Sequence, residues 1–207
     1  MLQRSDEWFA ARLGKVTASN IKKVMATIKS GEAADRRNYR AQLVVERLTG
    51  TKQDSFTNSA MEWGTQQEPS ARDAYSFISG YEVSEIGFVD HPEIAMAGAS
   101  PDGLVAQDGL VEIKCPNTAT HIDWMLSGNV PKEHELQMLF QMDCTGRKWC
   151  DFVSYDPRLP IDLQLFVVRM EFDKNRALEI KESVKQFIAE VDKTVSDLLS
   201  ISQQEEI

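Results

Sequence analysis

A chain of 207 residues, 42% hydrophobic and 27% charged, is long enough to bury a substantial core and reads as one soluble globular domain spanning 1–207. A net charge of -9 excludes a protein that coats itself in nucleic acid through bulk electrostatics. It leaves room for DNA bound in a local basic groove, or at an acidic site where metal ions supply the positive charge. The longest apolar runs, such as Leu165 to Val168, are far too short for a membrane span, and MLQRSDEW has neither the apolar core nor the cleavage site of a secretory signal. A cytoplasmic location without membrane contact is therefore expected. Cys115, Cys144 and Cys150 form no CxxC pair and have no histidine at zinc-ligand spacing, so reduced, mostly buried thiols follow.

In chain order, VTASNIKKVMATI reads as a helix capped by Thr17 and Ser19, with Ile21, Val24 and Met25 inward. ADRRNYRAQLVVERLTG reads as a second helix, with Tyr39, Leu43, Val44 and Leu48 on one side and Gly50 stopping it. A third runs from about Ala60 to Ser79, where Trp63, Gln67, Ala71, Ala74, Tyr75 and Ile78 recur at helical spacing; Pro69 is a candidate kink or break. After Gly80 the period shortens to β-type runs, YEVSEIGFVD, IAMAGAS, GLVEIKC and KWCDFVSY, with helices interposed near Thr118 to Leu126 and Glu133 to Cys144. LQLFVVRMEF is a further strand. Asp173 to Ser202 is a long final helix burying Leu178, Val184, Phe187, Ile188, Val191, Val195 and Leu198, and residues 203–207 read as a frayed polar tail. Helices, then strands, then helices argue for an α/β chain of the α+β type, a mixed central sheet flanked by helices.

The chemistry concentrates in ASPDGLVAQDGLVEIKC. A strand over GLVEIKC puts Glu112 and Lys114 side by side on one face, opposite Val111, Ile113 and Cys115. GLVAQDG can turn the chain back as a hairpin and return Glu112 beside Asp102. Two carboxylates brought together repel unless a divalent cation lies between them, and hard oxygen ligands without histidine favour Mg²⁺ or Mn²⁺ over zinc. Lys114 would position or help activate a water and neutralise charge on a phosphate. The alternative is a turn-capping Asp102 beside an ordinary solvated edge strand.

These residues, with WFAARLGKVTAS, EWGTQQEPSARDAY, HELQMLFQM and VSYDPR in the same order, resemble the PD-(D/E)xK nuclease site in the form found in the lambda-phage exonuclease family. The resemblance implies a restriction-endonuclease-like core. It gives Glu68, Asp102, Glu112 and the backbone carbonyl of Ile113 as metal ligands, Lys114 as the catalytic lysine, and Gln137 as a supporting glutamine, with Gln141 one turn further along the same face. Arg12, Ser19 and Ser100 match positions that hold a 5′-terminal phosphate, and Met61 an apolar wedge that splays the terminal base pair. Core packing is the alternative for Met61, and a helix flank or turn cap for the other three. Lys22, Lys23, Arg36, Arg37 and Arg40 could contact duplex or face solvent.

The activity so implied is Mg²⁺-dependent 5′-to-3′ digestion of one strand of linear double-stranded DNA, with two ions per site and Mn²⁺ able to substitute. It also implies a ring-shaped homotrimer, encoded by a phage or prophage, cooperating with a single-strand annealing protein. The chain begins close to the first shared block and differs from relatives over Lys29 to Arg37, which bears on duplex tracking. An endonuclease on the same core, or a noncatalytic DNA-end-binding protein, are the competing readings.

Overall fold

The elements follow as α1 (Asp6–Arg12), β1 (Val16–Thr17), a 3-10 turn over Ala18–Asn20, α2 (Ile21–Val24), α3 (Ala34–Thr49), α4 (Ser59–Ser79), β2 (Val83–Ser84), β3 (Val89–Asp90), β4 (Ala97–Ala99), β5 (Gly103–Val105), β6 (Gly109–Lys114), α5 (Thr118–Ser127), α6 (Lys132–Thr145), β7 (Trp149–Tyr155), β8 (Leu165–Glu171) and α7 (Lys174–Gln204). They come from a computed structural model that describes residues 1–53 and 58–204. Polar side chains start several of these helices: Asn58 caps α4 by accepting from the Met61 N–H, and Asn117 caps α5 by accepting from the Thr120 N–H, both at 2.9 Å. Gly50, in the left-handed region at φ 66°, ends α3.

The central sheet has the order β2-β5-β6-β7-β8; β6 and β7 run parallel and the other pairs antiparallel. The parallel step from β6 to β7 is bridged by α5 and α6, as a parallel crossover requires. A smaller sheet, β1-β4-β3, lies beside it. Gly109 starts β6 beneath the Trp149 indole, where an added Cβ would come within 2.1 Å of the ring.

Alternation along β6 divides the core. Leu110 joins Met138, Phe140 and Met142 of α6, Phe152 of β7 and the inner faces of α2, α3 and α7. Val111 and Ile113 point to the other side, against Ala71 and Tyr75 of α4 with Val153 and Tyr155. In α7, Ile180, Val184, Phe187 and Val191 are fully buried at helical spacing, and Phe187 stacks on Tyr39 of α3 at 5.5 Å.

The mixed sheet flanked by helices agrees with the expected fold class. Several local expectations do not hold. Thr17 and Ser19 make no side-chain cap for α2, which is only four residues long; Thr17 lies in β1 instead, with its N–H donating to the Tyr39 hydroxyl at 3.1 Å and its Oγ1 accepting from Asn20 Nδ2 at 2.9 Å. Pro69 sits inside an uninterrupted α4. Leu48 and Ile78, placed on inward stripes, are exposed at 40% and 67%. Leu178 and Leu198 are likewise 46% and 43% exposed, while Ala177 and Ile180 take the inward positions. With 31 residues against 16 in α3, α7 outruns its partner, so its last turns lack a helix of equal length to cover them. The helix also continues to Gln204, into the stretch read as tail, and residues 205–207 lie outside the described residues.

Candidate active site

The hairpin of β5 and β6 pairs Gly103 with Val111, which returns Glu112 next to the residue preceding β5. Asp102 Oδ2 accepts the Ile113 N–H at 2.7 Å. Lys114 Nζ donates to Glu112 Oε1 along the same strand face. Gln137 and Gln141, one turn apart on α6, donate to the two oxygens of Glu112: Gln137 Nε2 to Oε1 at 2.6 Å and Gln141 Nε2 to Oε2 at 2.7 Å. Both glutamines therefore contact the site, not Gln137 alone.

Glu68, on α4, is held by two guanidinium groups. Its Oε2 accepts from Arg4 and its Oε1 from Arg72, each at 2.9 Å. Arg4 comes from the segment before α1, which Gln3 pins by donating to the Ile86 and Pro101 carbonyls.

Three cavities map the neighbourhood. One of about 160 Å³ brings Asp102, Glu112, Lys114, Gln137 and Gln141 together with Arg12, Ser19 and Ser100. A second, of about 480 Å³, shares Asp102 and Lys114 with it and adds Met61, Glu68, Ile113, Trp124 and His134. A third, of about 430 Å³, runs from Arg12 and Ser19 past Lys15, Lys23 and Lys52 to Met61. Every site residue singled out in the sequence thus lines at least one of these adjoining cavities. Arg12 donates to Ser100 Oγ at 3.1 Å and lies over the Trp8 ring at 4.0 Å, while the Trp8 indole N–H also donates to Ser100 Oγ, at 2.9 Å. Met61 is 52% exposed, so the core reading of that residue falls. Of the basic residues that could contact duplex or face solvent, Arg36 and Arg40 are engaged by Glu32 and Glu190; Lys22, Lys23 and Arg37 are exposed, Lys23 at the edge of the third cavity.

Desolvation at the floor of the cleft, and then the charge of Glu112, push the Asp102 carboxyl up to about 8, against the pull of Lys114. Burial, with Glu68 and Asp102 nearby, pushes the Cys115 thiol up to about 12. Desolvation opposes the charge of Lys114, but Glu112 and Asp102 outweigh it and hold the ammonium above its usual range. Buried carboxylates of this kind suit a hard divalent cation. The fit is one of charge and donor type: among the described residues no three His, Cys, Asp or Glu side chains converge to hold a metal as they stand, since Arg4, Arg72 and Lys114 occupy the oxygens that would have to turn.

Residues the sequence did not single out are Arg4, Trp8 and the aromatic pair Trp124 and His134. Trp8 lies in the WFAARLG block and His134 opens the HELQMLFQM block, three residues before Gln137 on α6; Arg4 and Trp124 carry no spacing signal, because they arrive from separate elements. The His134 ring stacks on Phe152 at 5.4 Å and meets Trp124 edge-on at 5.5 Å. Burial, then Lys114, lowers its pKa to about 4.

A mixed sheet flanked by helices, with Asp102 and Glu112-Ile113-Lys114 on a central hairpin, defines a nuclease core of the PD-(D/E)xK class. Residues 7–148 match the family described as the YqaJ-like viral recombinase domain, and the chain belongs to that family. An alkaline exonuclease from Laribacter hongkongensis, solved by crystallography, is 50% identical over 97% of this chain and 99% of its own, with a TM-score of 0.91. The structure of that enzyme in complex with dAMP matches with the same identity and TM-score, 50% and 0.91. A phage-related exonuclease from Haemophilus somnus 129PT shares the fold at 16% identity, with a TM-score of 0.71 over 89% of this chain and 96% of that one. No curated protein matches. Fold and family together make the chain an enzyme of the nuclease class.

Proposed function

We propose that the protein is a Mg²⁺-dependent exonuclease that degrades one strand of linear double-stranded DNA from a 5′-phosphate, releases 5′-mononucleotides and leaves a 3′ overhang for annealing-type recombination. The observation behind this reading is the meeting of two cavities at Asp102 and Lys114, one of which ends in Arg12, Ser19 and Ser100. A guanidinium fork with neutral hydroxyl donors suits a terminal phosphate. A 5′-phosphate seated there puts the first phosphodiester against the carboxylates, with the rest of the strand in the larger cavity. The exposed Met61 borders both that cavity and the lysine-lined one, where an apolar side chain can wedge between paired strands.

Two Mg²⁺ ions, or Mn²⁺ in their place, held by Glu68, Asp102, Glu112 and the Ile113 carbonyl would supply positive charge for the phosphate and the attacking oxygen. Glu112, fixed by Lys114, Gln137 and Gln141, orients the cleft face on which water is placed. Lys114 offsets negative charge developing on the phosphate. Water oxygen bonds to phosphorus, the bond to O3′ breaks, and the proton ends on the departing O3′. The new 5′-phosphate can then enter the Arg12 pocket, which accounts for one direction of travel.

The chain is read as a single nuclease domain over 1–207, working as a ring-shaped homotrimer with a phage-type single-strand annealing protein. Family membership supports this, and a net charge of -9 suits a ring whose outer surface is acidic and whose channel is basic.

The test is digestion of a linear duplex with a 5′-phosphate on one strand only, in Mg²⁺ and in chelator, beside a closed circular duplex. Metal-dependent release of mononucleotides from the phosphorylated strand alone is expected. Cutting of the circle would instead favour an endonuclease, and end binding without turnover a binding protein.

A further inference from the structure

Glu112 is held unequally by its neighbours. Its Oε1 receives both Lys114 Nζ and Gln137 Nε2, whereas among the described residues Oε2 receives only Gln141 Nε2, at 2.7 Å. Gln141 is 0% exposed, and its backbone carbonyl accepts from Thr145 Oγ1 at 2.8 Å one turn on. An ionised carboxylate accepts only, so the amide must turn its NH₂ toward Glu112, and its Oε1 then faces away. That oxygen is buried, has no hydrogen-bond partner, and belongs to a residue lining the cleft with Asp102 and Lys114.

We propose that Gln141 is a positioning residue for hydrolysis: its amide N–H fixes the second oxygen of Glu112 in the orientation in which that carboxylate serves the reaction. This rests on the nuclease reading above. With Gln137 it makes a two-point clamp, so that the carboxylate cannot rotate about its last bond. Groups that orient a ligand in this way affect both metal affinity and rate.

The test compares wild type with Gln141→Met, which keeps length and loses both polar atoms, and Gln141→Asn, which keeps an amide but withdraws it from Glu112. Turnover is measured on the 5′-phosphorylated duplex, and Mn²⁺ affinity by calorimetry without DNA. Both variants should lose about 10- to 100-fold in kcat, with a weaker Mn²⁺ affinity of similar scale and an unchanged KM for DNA ends. Wild-type kcat and Mn²⁺ affinity in either folded variant overturns the proposal, as does a fall in kcat with Mn²⁺ affinity unaltered. If Gln141→Met does not fold, Gln141→Asn decides the matter. A wild-type enzyme without metal-dependent turnover would sink the nuclease reading itself, which is a separate result.

Discussion

The Asp102 carboxylate accepts the Ile113 N–H at 2.7 Å across the hairpin, which ties one acid of the site to the backbone between the other acid and the lysine. Asn at position 102 can still accept that hydrogen bond but carries no charge. Asp102→Asn is therefore expected to keep or slightly raise the melting temperature in chelator, because the carboxyl it replaces is pushed up to about 8. The same variant should lose Mg²⁺-dependent turnover by at least about 100-fold. Melting curves and duplex digestion on one preparation check both halves; a variant that unfolds in chelator would contradict the first.

Replacement of Lys114 by Ala removes the only ammonium on Glu112 among the described residues. A fall of roughly 100- to 1000-fold in kcat is expected, as for other groups that stabilise developing charge. Binding of 5′-phosphorylated ends should persist, since Arg12, Ser19 and Ser100 are untouched. Gel-shift and single-turnover measurements separate the two effects.

Arg12 donates to Ser100 and lies over Trp8, so it is held ready to meet a terminal phosphate. Arg12→Ala should weaken the preference for a 5′-phosphate over a 5′-hydroxyl end by about tenfold or more, the cost of one charged hydrogen-bonding group. Digestion from 5′-hydroxyl ends should change little. Equal losses on both kinds of end would argue that Arg12 serves the fold instead.

The pH dependence of stability should carry the mark of His134. Its folded pKa is lowered to about 4 from an ordinary 6.5, so as pH falls below 6.5 the unfolded chain binds the proton first. Stability is then lost progressively between about pH 6.5 and 4. His134→Phe, which keeps a ring against Phe152, should flatten that portion of the profile. Urea unfolding at a series of pH values measures it, and an unchanged profile would contradict the burial argument.

Phe187 is fully buried and stacks on Tyr39. Phe187→Ala should cost about 3–5 kcal/mol, from lost transfer energy plus the cavity left behind. Chemical denaturation reads this directly.

Much of this chain was legible in one dimension because its periodicities are local. The alternation in GLVEIKC dictated which residues of β6 share a face, and the 3.6-residue period with Gly50 and Gly80 located α3 and α4. The same patterns misassigned residues wherever burial depended on a neighbour's length or position: Leu48, Ile78, Leu178 and Leu198 satisfy the helical spacing, yet the described elements cover them only in part. Tertiary structure alone decided that Gln141 joins Gln137 on Glu112, that Arg36 and Arg40 are spent on Glu32 and Glu190, and that Arg4 meets Glu68 across 64 positions of sequence. The physical reason is range. Dihedral preference and side-chain period act within a few residues, whereas an ion pair or an amide clamp depends on which distant elements the packed core brings within hydrogen-bonding distance.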